Sequence, residues 1–319
     1  MRADRLASGT TRSPRLALLL LTLAATHAPG AAWPAPRPQD PPAQTAPGGW
    51  LQIRPRGEEF AFQSPVAPGV YVSQREGDGL LRQMGGTEVK RQLTYHAYHD
   101  GVVYLVHVYK ASSPQSVMNE LTGRPPLRGA VARDVSAGGV KAREYEAASG
   151  ALYRKTRFVT AGKFLYVLEA AARDAANPNI DRFLSSLTTG RANAAGGDEV
   201  PAAAGGAEMS AAAEGAGDAT RAGEVVTQRE ATRKAAIVYR PEPLYTDEAR
   251  RKNTTGTIRL RMILSATGEV TNVTVAYGLP NGLTETAIAA AHATRFLPAE
   301  KDGRRVSQYV TIEYNYNIY

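Results

Sequence analysis

The side chains that could catalyse a reaction or bind a metal are sparse in this sequence. The 319 residues include five histidines and no cysteines, which excludes disulfides, thiol catalysis and cysteine-ligated metal or iron–sulfur sites. If a hairpin turns at Asp100-Gly101, His96 and His107 become diagonal neighbours on one face of a sheet, and His99 points the other way. Two histidines without a third ligand do not make a zinc site. We therefore predict no metal centre and no cofactor.

The sequence also lacks the arrangements typical of enzyme active sites. There is no Gly-x-Ser-x-Gly elbow, and the pairs Gly85-Gly86 and Gly138-Gly139 lack the lysine or helix of a phosphate-binding loop. Glu144 and Glu146 share one face of a predicted strand, but an exposed acidic pair of this kind is usually just solvated. We predict that the chain is not an enzyme and has no catalytic residues.

The net charge of +8 is spread along the chain. Basic and acidic residues number five and two in residues 1–49, 18 and 13 in 50–190, five and seven in 191–236, and ten and eight thereafter. A nucleic-acid-binding protein usually concentrates lysine and arginine on one face or tail. We therefore predict no nucleic-acid partner.

The N-terminus predicts export from the cytoplasm. Four arginines precede a short apolar run at residues 16–25, which falls short of the roughly 20 apolar residues that a bilayer span requires. A signal peptide over residues 1–32, cleaved after Ala28 or Ala32, is favoured. The alternative is an uncleaved, marginal anchor in the inner membrane.

Composition divides the remaining chain into two domains and two linkers. Residues 33–49 carry six prolines and predict a Pro-rich linker, whereas residues 190–236 are rich in alanine and glycine, lack aromatic residues and predict a disordered linker. Between them, residues 50–189 predict an α+β domain with hairpins at Asp100-Gly101 and Ala161-Gly162 and a closing helix at 177–187. An alternative is that this domain of unknown role is an enzyme or binds a ligand.

Residues 50–189 also resemble a known group of secreted domains. The stretches EFAFQSP, FLYVLEAAAR and IDRFLSSL are similar to those of small α+β domains of the PsbP-like group. This resemblance implies a secreted α+β fold and no particular reaction.

Residues 237–319 predict a second small domain with an antiparallel sheet. A short helix, two strands, a second helix and a long final strand are predicted at 245–252, 257–265, 270–277, 284–294 and 306–319. Thr284 is the predicted N-cap of the second helix, and Val273, Val275 and Tyr277 are predicted to face the core. The fold class is thus α+β, with two antiparallel-sheet domains joined by a disordered linker.

The final strand has the clearest pattern in the chain. Successive residues alternate between two faces of the strand, one of them more polar than the other. The less polar face contains Val306, Gln308, Val310, Ile312, Tyr314, Tyr316 and Ile318. Because the two preceding strands are shorter, neither can pair along its whole length. We therefore predict an open backbone edge over residues 307–317.

Four stretches of this domain, in order, resemble the C-terminal domain of the TonB energy-transducer family over residues 238–319. They are PEPLYTDEAR, GTIRLRMILSATGEV, LPNGLTETAIAAAHATRFLPAEKDGRRV and the final strand. The resemblance implies a periplasmic domain that adds an extended segment of an outer-membrane transporter, the TonB box, as a strand beside its last strand and so supports energised transport. The partner-binding residues implied are Gln308, Tyr309, Val310, Thr311, Ile312, Glu313 and Tyr314.

Several alternatives remain open at this point. If the N-terminus is uncleaved, the resemblance implies a contact with inner-membrane proton-driven motor proteins; if it is cleaved, that contact is lost. The domain could instead serve a periplasmic scaffolding or adaptor protein that forms a homodimer or binds peptidoglycan. The edge of the final strand could also be covered by residues 225–240 or by a second copy of the chain.

Overall fold

The computed structural model describes residues 45–46, 49–75, 82–124, 127–137, 140–149, 152–190, 199–200 and 224–317. The predicted signal peptide and most of both predicted linkers lie outside these residues. The described part is mostly β-sheet and contains four helices, in agreement with the sheet-rich domains that the sequence predicts.

The N-terminal domain, residues 45–189, is built around one large antiparallel sheet. Its elements are β1 (Thr45–Ala46), β2 (Trp50–Pro55), β3 (Phe60–Ser64), β4 (Gly69–Gln74), β5 (Arg82–Met84), β6 (Thr87–His99), β7 (Val102–Ala111), α1 (Pro114–Thr122), β8 (Ala132–Ala137), β9 (Val140–Ser149), β10 (Leu152–Ala161), β11 (Phe164–Ala172), α2 (Pro178–Leu184) and β12 (Thr188–Thr189). The large sheet has the strand order β4-β6-β7-β11-β10-β9-β8, with β5 also beside β6, and a smaller sheet has the order β1-β2-β3-β12.

The C-terminal domain, residues 224–317, contains the predicted order of helix, strand, strand, helix and strand, together with several short strands. Its elements are β14 (Val225–Val226), β15 (Ala236–Tyr239), α3 (Asp247–Arg251), β16 (Gly256–Leu264), β17 (Val270–Tyr277), α4 (Leu283–His292), β18 (Arg295–Leu297), β19 (Ala299–Lys301) and β20 (Arg304–Tyr316); β13 (Glu199–Val200) precedes them and pairs with β2. The main sheet has the order β14-β20-β16-β17, and β15 pairs with β18.

Both predicted hairpins are present in the N-terminal domain. His99 pairs with Val102 across a turn in which Asp100 and Gly101 have φ angles of 47° and 75°, and such left-handed pairs suit the twist of a two-residue hairpin turn. The second hairpin joins β10 and β11, with Ala161 opposite Phe164. Local turn chemistry thus fixes the register of the central strands.

The large sheet has a hydrophobic core on each face. On one face, α2 and the small sheet cover buried side chains such as Tyr104 and Phe183, whose rings lie 5.1 Å apart. On the other face, α1 covers part of the sheet through Val117 and Leu165. The rest of that second face packs against the C-terminal domain, with Leu105 only 1% exposed.

The contact between the two domains is apolar at its centre and polar at its rim. Val103, Leu105 and Ala171 of the N-terminal domain pack against Val238 and Leu297 of the C-terminal domain. Around this centre, Arg154 Nη2 donates to Val238 O at 3.3 Å. Buried apolar contacts of this kind stabilise a fixed arrangement of domains, which the sequence, read as two domains on a tether, did not predict.

Arg173 extends the polar rim of this contact. Its Nη2 donates to Pro298 O at 3.0 Å, and its Nε lies 3.1 Å from Glu300 Oε1. Glu300 also pairs with Arg233, at 3.2 Å. The rim therefore links the residue that follows β11 to the start of the final hairpin, β19 and β20.

The prediction that residues 190–236 are disordered is wrong at their C-terminal end. Residues 224–236 are anchored to the C-terminal domain: Val226 is 1% exposed, and β14 pairs in parallel with β20. β13, in the same predicted linker, pairs in parallel with β2. β1, which lies in the predicted Pro-rich linker, pairs with β2 as well. A few apolar residues and backbone pairing suffice to order these short segments, which composition alone cannot reveal.

Two finer predictions for the C-terminal domain are also wrong. The N-cap of α4 is Gly282, with φ at 79°, whereas the Thr284 hydroxyl bonds to the backbone of Leu279 instead. Val275 and Tyr277 are 45% and 61% exposed, not buried. The register between β16 and β17 shifts twice along their length, and such bulges interrupt the simple alternation of faces on which the prediction depended.

Candidate functional site

The candidate site is the backbone edge of β20 that no other described strand covers. On one edge, β20 pairs with β16 from Gln308 opposite Leu264 to Tyr316 opposite Gly256. On the other edge, β14 pairs only with Ser307 and Gln308. Because Gln308 has a partner in both strands, β14 and β16 must lie on opposite edges. Within the described residues, the β14 edge therefore has no paired strand over residues 309–316, a stretch of about 26 Å.

The direction of the free hydrogen-bonding groups follows from one observed bond. The Ser307 N–H donates to Glu224 O at 3.2 Å, on the β14 edge. Successive N–H groups of an extended strand point alternately to its two edges. The backbone groups of Tyr309, Thr311 and Glu313 therefore point to the uncovered edge, followed by those of Asn315. An added strand would find donors and acceptors at every second residue.

The side chains of β20 alternate as the sequence predicts. Ile312, Tyr314 and Tyr316 are 3–5% exposed and face the core of the domain. Tyr309 is 55% exposed and lies on the outer face, as do Thr311, Glu313 and Asn315. An added strand would extend both faces, so its alternate side chains would meet an apolar surface and a polar one.

Two cross-strand pairs on the outer face tie β20 to β16. Arg259 Nε donates to Glu313 Oε1 at 2.8 Å, and Thr257 Oγ1 donates to Asn315 Oδ1 at 2.7 Å. Both pairs are exposed, and exposed pairs contribute little to the free energy of unfolding. They support the pairing of β16 and leave the opposite backbone edge unobstructed.

Gln308 is the one predicted site residue whose geometry does not suit binding. Its backbone has a partner on both edges, its side chain is buried, and its Oε1 accepts from Ala235 N at 2.8 Å. It therefore holds residues 224–236 in place. We take the candidate site to begin at Tyr309 and to include the other six predicted residues.

The sequence did not predict that the N-terminal domain contributes a side chain to the core behind β20. Tyr71, on the edge strand β4, is only 9% exposed and belongs to the same buried cluster as Ile312, Tyr314 and Tyr316. Its hydroxyl donates to Glu242 O at 2.9 Å. The contact joins residues far apart in sequence, and no local pattern around Tyr71 marks it.

The predicted pairing of the histidines is confirmed, and both lie in the contact between the domains. Thr94 pairs with His107 and His96 with Leu105. His107 Nδ1 lies 2.9 Å from Thr94 Oγ1, which accepts from the Tyr239 hydroxyl at 3.1 Å. In the part of the chain that the structure describes, no three metal-ligating side chains converge. The pair is thus part of the domain contact.

Both histidines are held in the neutral form. Burial lowers the pKa of His107 to about 4, and the nearby Arg154 adds to the effect. Burial, assisted by Arg295, also lowers the pKa of His96 well below its usual value. Uncharged imidazoles therefore suit the apolar contact, whereas imidazolium ions would destabilise it.

Glu144 is not a solvated carboxylate, so that prediction is corrected. It is 4% exposed, and its Oε2 accepts from Arg157 Nη2 at 2.5 Å and from Arg157 Nε at 2.9 Å. Arg157 Nη1 also donates to Leu184 O at 2.9 Å. The buried pair fastens α2 to the sheet, because every strong hydrogen-bonding group in it has a partner. Glu146 is more exposed and pairs with Arg133.

Comparison with known proteins agrees with the C-terminal geometry. The family model of the Gram-negative bacterial TonB protein C-terminal matches residues 241–318. The matched residues include the stretch whose motifs resemble the TonB energy-transducer family. No curated protein matches the chain, and the similarity of residues 50–189 to PsbP-like domains stays a prediction.

One further observation concerns the membrane. Among the described helices, none has the length and apolar character needed to cross a bilayer; the predicted signal peptide or anchor at residues 1–32 lies outside the described residues. From α3 to β20, the match, the order of elements and the long final strand agree. Residues 241–318 therefore form a C-terminal domain of the TonB family.

Proposed function

We propose that this protein is a periplasmic TonB-like protein that binds an outer-membrane transporter or another envelope partner by β-strand addition. The observation that carries this proposal is the uncovered edge of β20 over residues 309–316, on a domain of the TonB family. An extended partner segment would pair with this edge through its backbone, and its alternate side chains would supply selectivity. Binding of this kind supports energised transport across the outer membrane.

The direct test is a titration of the full chain with TonB-box peptides, followed by NMR of the backbone amides. We expect the amides of Tyr309, Thr311 and Glu313 to shift most, because their N–H groups face the added strand. The amides of β17, at the far side of the sheet, should move little. Peptides that leave residues 309–316 unmoved would exclude strand addition and favour the scaffolding or adaptor alternative, in which the domain dimerises or binds peptidoglycan.

Replacing Thr311 with proline is expected to weaken peptide binding by about tenfold or more, equivalent to about 1.4 kcal/mol. Proline has no N–H to donate, and its ring occupies the edge where a partner strand must lie. Because the Thr311 N–H points away from β16, the pairing of β16 and β20 should survive. The dissociation constant, measured by calorimetry, checks this expectation.

Thr311→Ala is the matched control, since it also removes the hydroxyl but keeps the N–H. We expect its affinity to stay within about twofold of the wild type. Equal affinities for the proline and alanine variants, both folded, would contradict pairing at this edge.

Whether the predicted signal peptide at residues 1–32 is cleaved decides whether binding of a partner can transmit force. A cleaved chain would be a periplasmic binder, whereas an uncleaved chain could also contact the inner-membrane proton-driven motor. The N-terminal mass of the protein from its native envelope distinguishes the two: a start near Pro29 or Trp33 indicates cleavage, and retention of Met1 or Arg2 in the membrane fraction indicates an anchor.

A further inference from the structure

The side chain of Tyr71, a residue of the N-terminal domain, packs into the hydrophobic core of the C-terminal domain. It projects from β4, the edge strand of the large sheet, on the same face as its pairing partner Thr94. Its neighbours on β4, Val70 and Val72, pack against the opposite core, inside the N-terminal domain. Tyr71 is thus the β4 side chain that joins the C-terminal core.

The surface that Tyr71 touches is the inward face of β20, directly behind the candidate binding edge. Tyr71 belongs to the same buried cluster as Ile312, Tyr314 and Tyr316, and it lies close to the two tyrosines. Its hydroxyl bond to Glu242 O, 2.9 Å long, also fixes the extended segment between β15 and α3. Arg240, in this segment, lies with its guanidinium carbon 5.8 Å from the centre of the Tyr314 ring.

Besides its pairing with β16, the second half of β20 is supported from its inward face, where the ring of Tyr245 and helix α4 contact Tyr316. Over residues 309–316 it is paired on one edge only. Helix α4 packs mainly on β16 and β17 and reaches β20 through Tyr316, whose hydroxyl donates to Leu283 O at 3.0 Å. A half-paired strand frays more readily than one paired on both edges, so the inward contact of Tyr71 matters for its order.

We propose that Tyr71 is a positioning residue for strand addition, supplied to the C-terminal domain by the N-terminal domain. This inference rests on the proposed function of the β20 edge. Tyr71 holds the inward face of β20, so the edge is extended and in register before a partner arrives. Pre-ordering of a binding edge raises affinity because the partner does not have to order it. The N-terminal domain therefore completes the partner site.

The test compares Tyr71→Ala, Tyr71→Phe and the control Val72→Ala in the full chain, with the TonB-box peptide that binds the wild type. Tyr71→Ala should weaken binding by about tenfold, whereas Tyr71→Phe, which keeps the ring, should restore affinity to within about threefold of the wild type. Val72→Ala alters the same strand but not the contact with β20, so its affinity should be unchanged.

Hydrogen exchange without peptide supplies a second readout. The amides of Val310, Ile312 and Tyr314, which bond to β16, should exchange faster in Tyr71→Ala and not in Val72→Ala. If Tyr71→Ala does not fold, Tyr71→Leu takes its place, since it keeps an apolar side chain but lacks the ring.

The outcomes separate the inference from the function on which it rests. Failure of the wild-type chain to bind any TonB-box peptide would contradict the proposed binding of an outer-membrane transporter itself. Binding by the wild type and by Tyr71→Ala with equal affinity and equal exchange of β20 overturns only the positioning role. A loss of affinity shared by Val72→Ala would also overturn it, because the effect would then reflect general destabilisation.

Discussion

A Leu105→Asp chain is expected to fold but to lose the contact between its two domains. Leu105 is 1% exposed on β7 and packs with Val238 and Leu297 of the C-terminal domain. An uncompensated charge buried there costs roughly 3–5 kcal/mol while the domains remain docked, and separation of the domains returns the carboxylate to water. Hydrogen exchange of β15 and β18 should accelerate, whereas β7 and β11 keep their protection.

Val131→Asp is the matched control, because Val131 is 82% exposed and the new charge is the same. Its exchange should equal that of the wild type. If β15 and β18 exchange at wild-type rates in Leu105→Asp, the docked arrangement is wrong. Faster exchange throughout β6, β7 and β11 would also contradict the prediction, since it would mean that the N-terminal domain unfolds with the contact.

Local patterns in the sequence account for the elements that carry the fold. The Asp100-Gly101 turn, the helix near Ile180 and the alternating faces of β20 are each specified within a few residues. Hydrophobic alternation identifies a buried face because successive side chains of a strand point to opposite faces of the sheet. The same logic identified the candidate edge, apart from its first residue.

Apart from the N-cap of α4 and the bulged register of β16 and β17, the parts that sequence reasoning could not predict depend on distant contacts. Tyr71 meets Glu242, and Leu105 meets Val238, only after both domains have folded. Leu105 and Ala171 fit a sheet face whether that face is covered by a helix or by another domain, so their hydrophobicity does not reveal the cover. Gln308 likewise reads as an edge residue until β14 is placed beside it.

Acidification is expected to destabilise the folded chain through His96 and His107. The folded state lowers the pKa of His107 from 6.5 to about 4 and that of His96 in the same direction. The unfolded chain therefore binds protons at a higher pH than the folded chain. Stability is complete above pH 6.5 and falls as the pH drops towards the folded pKa, by about 1.4 kcal/mol per pH unit for each neutral histidine.

Neighbouring charges influence the size of this effect but not its sign. Arg154 and Arg295 lie beside the histidines and further disfavour the imidazolium form. Glu169, paired with Arg154 at 2.5 Å, has a pKa raised by burial, so its protonation in acid acts in the opposite direction. Since His107 keeps part of its surface exposed, we expect this residue to contribute a loss of at most about 2 kcal/mol between pH values of about 6.5 and 4.5.

The measurement is the free energy of unfolding in urea at several pH values from about 7.5 to about 4.5. His107→Asn removes the titrating group, and its amide can still bond to the Thr94 hydroxyl, so this variant should show a shallower loss of stability. His99→Asn is the control, because His99 belongs to the hairpin end and not to the pair beside Thr94. Equal slopes for the wild type and His107→Asn would show that the histidine in the domain contact does not govern the acid response. A shallower slope in His107→Asn alone would mean that protonation of the histidine in the domain contact carries the acid response.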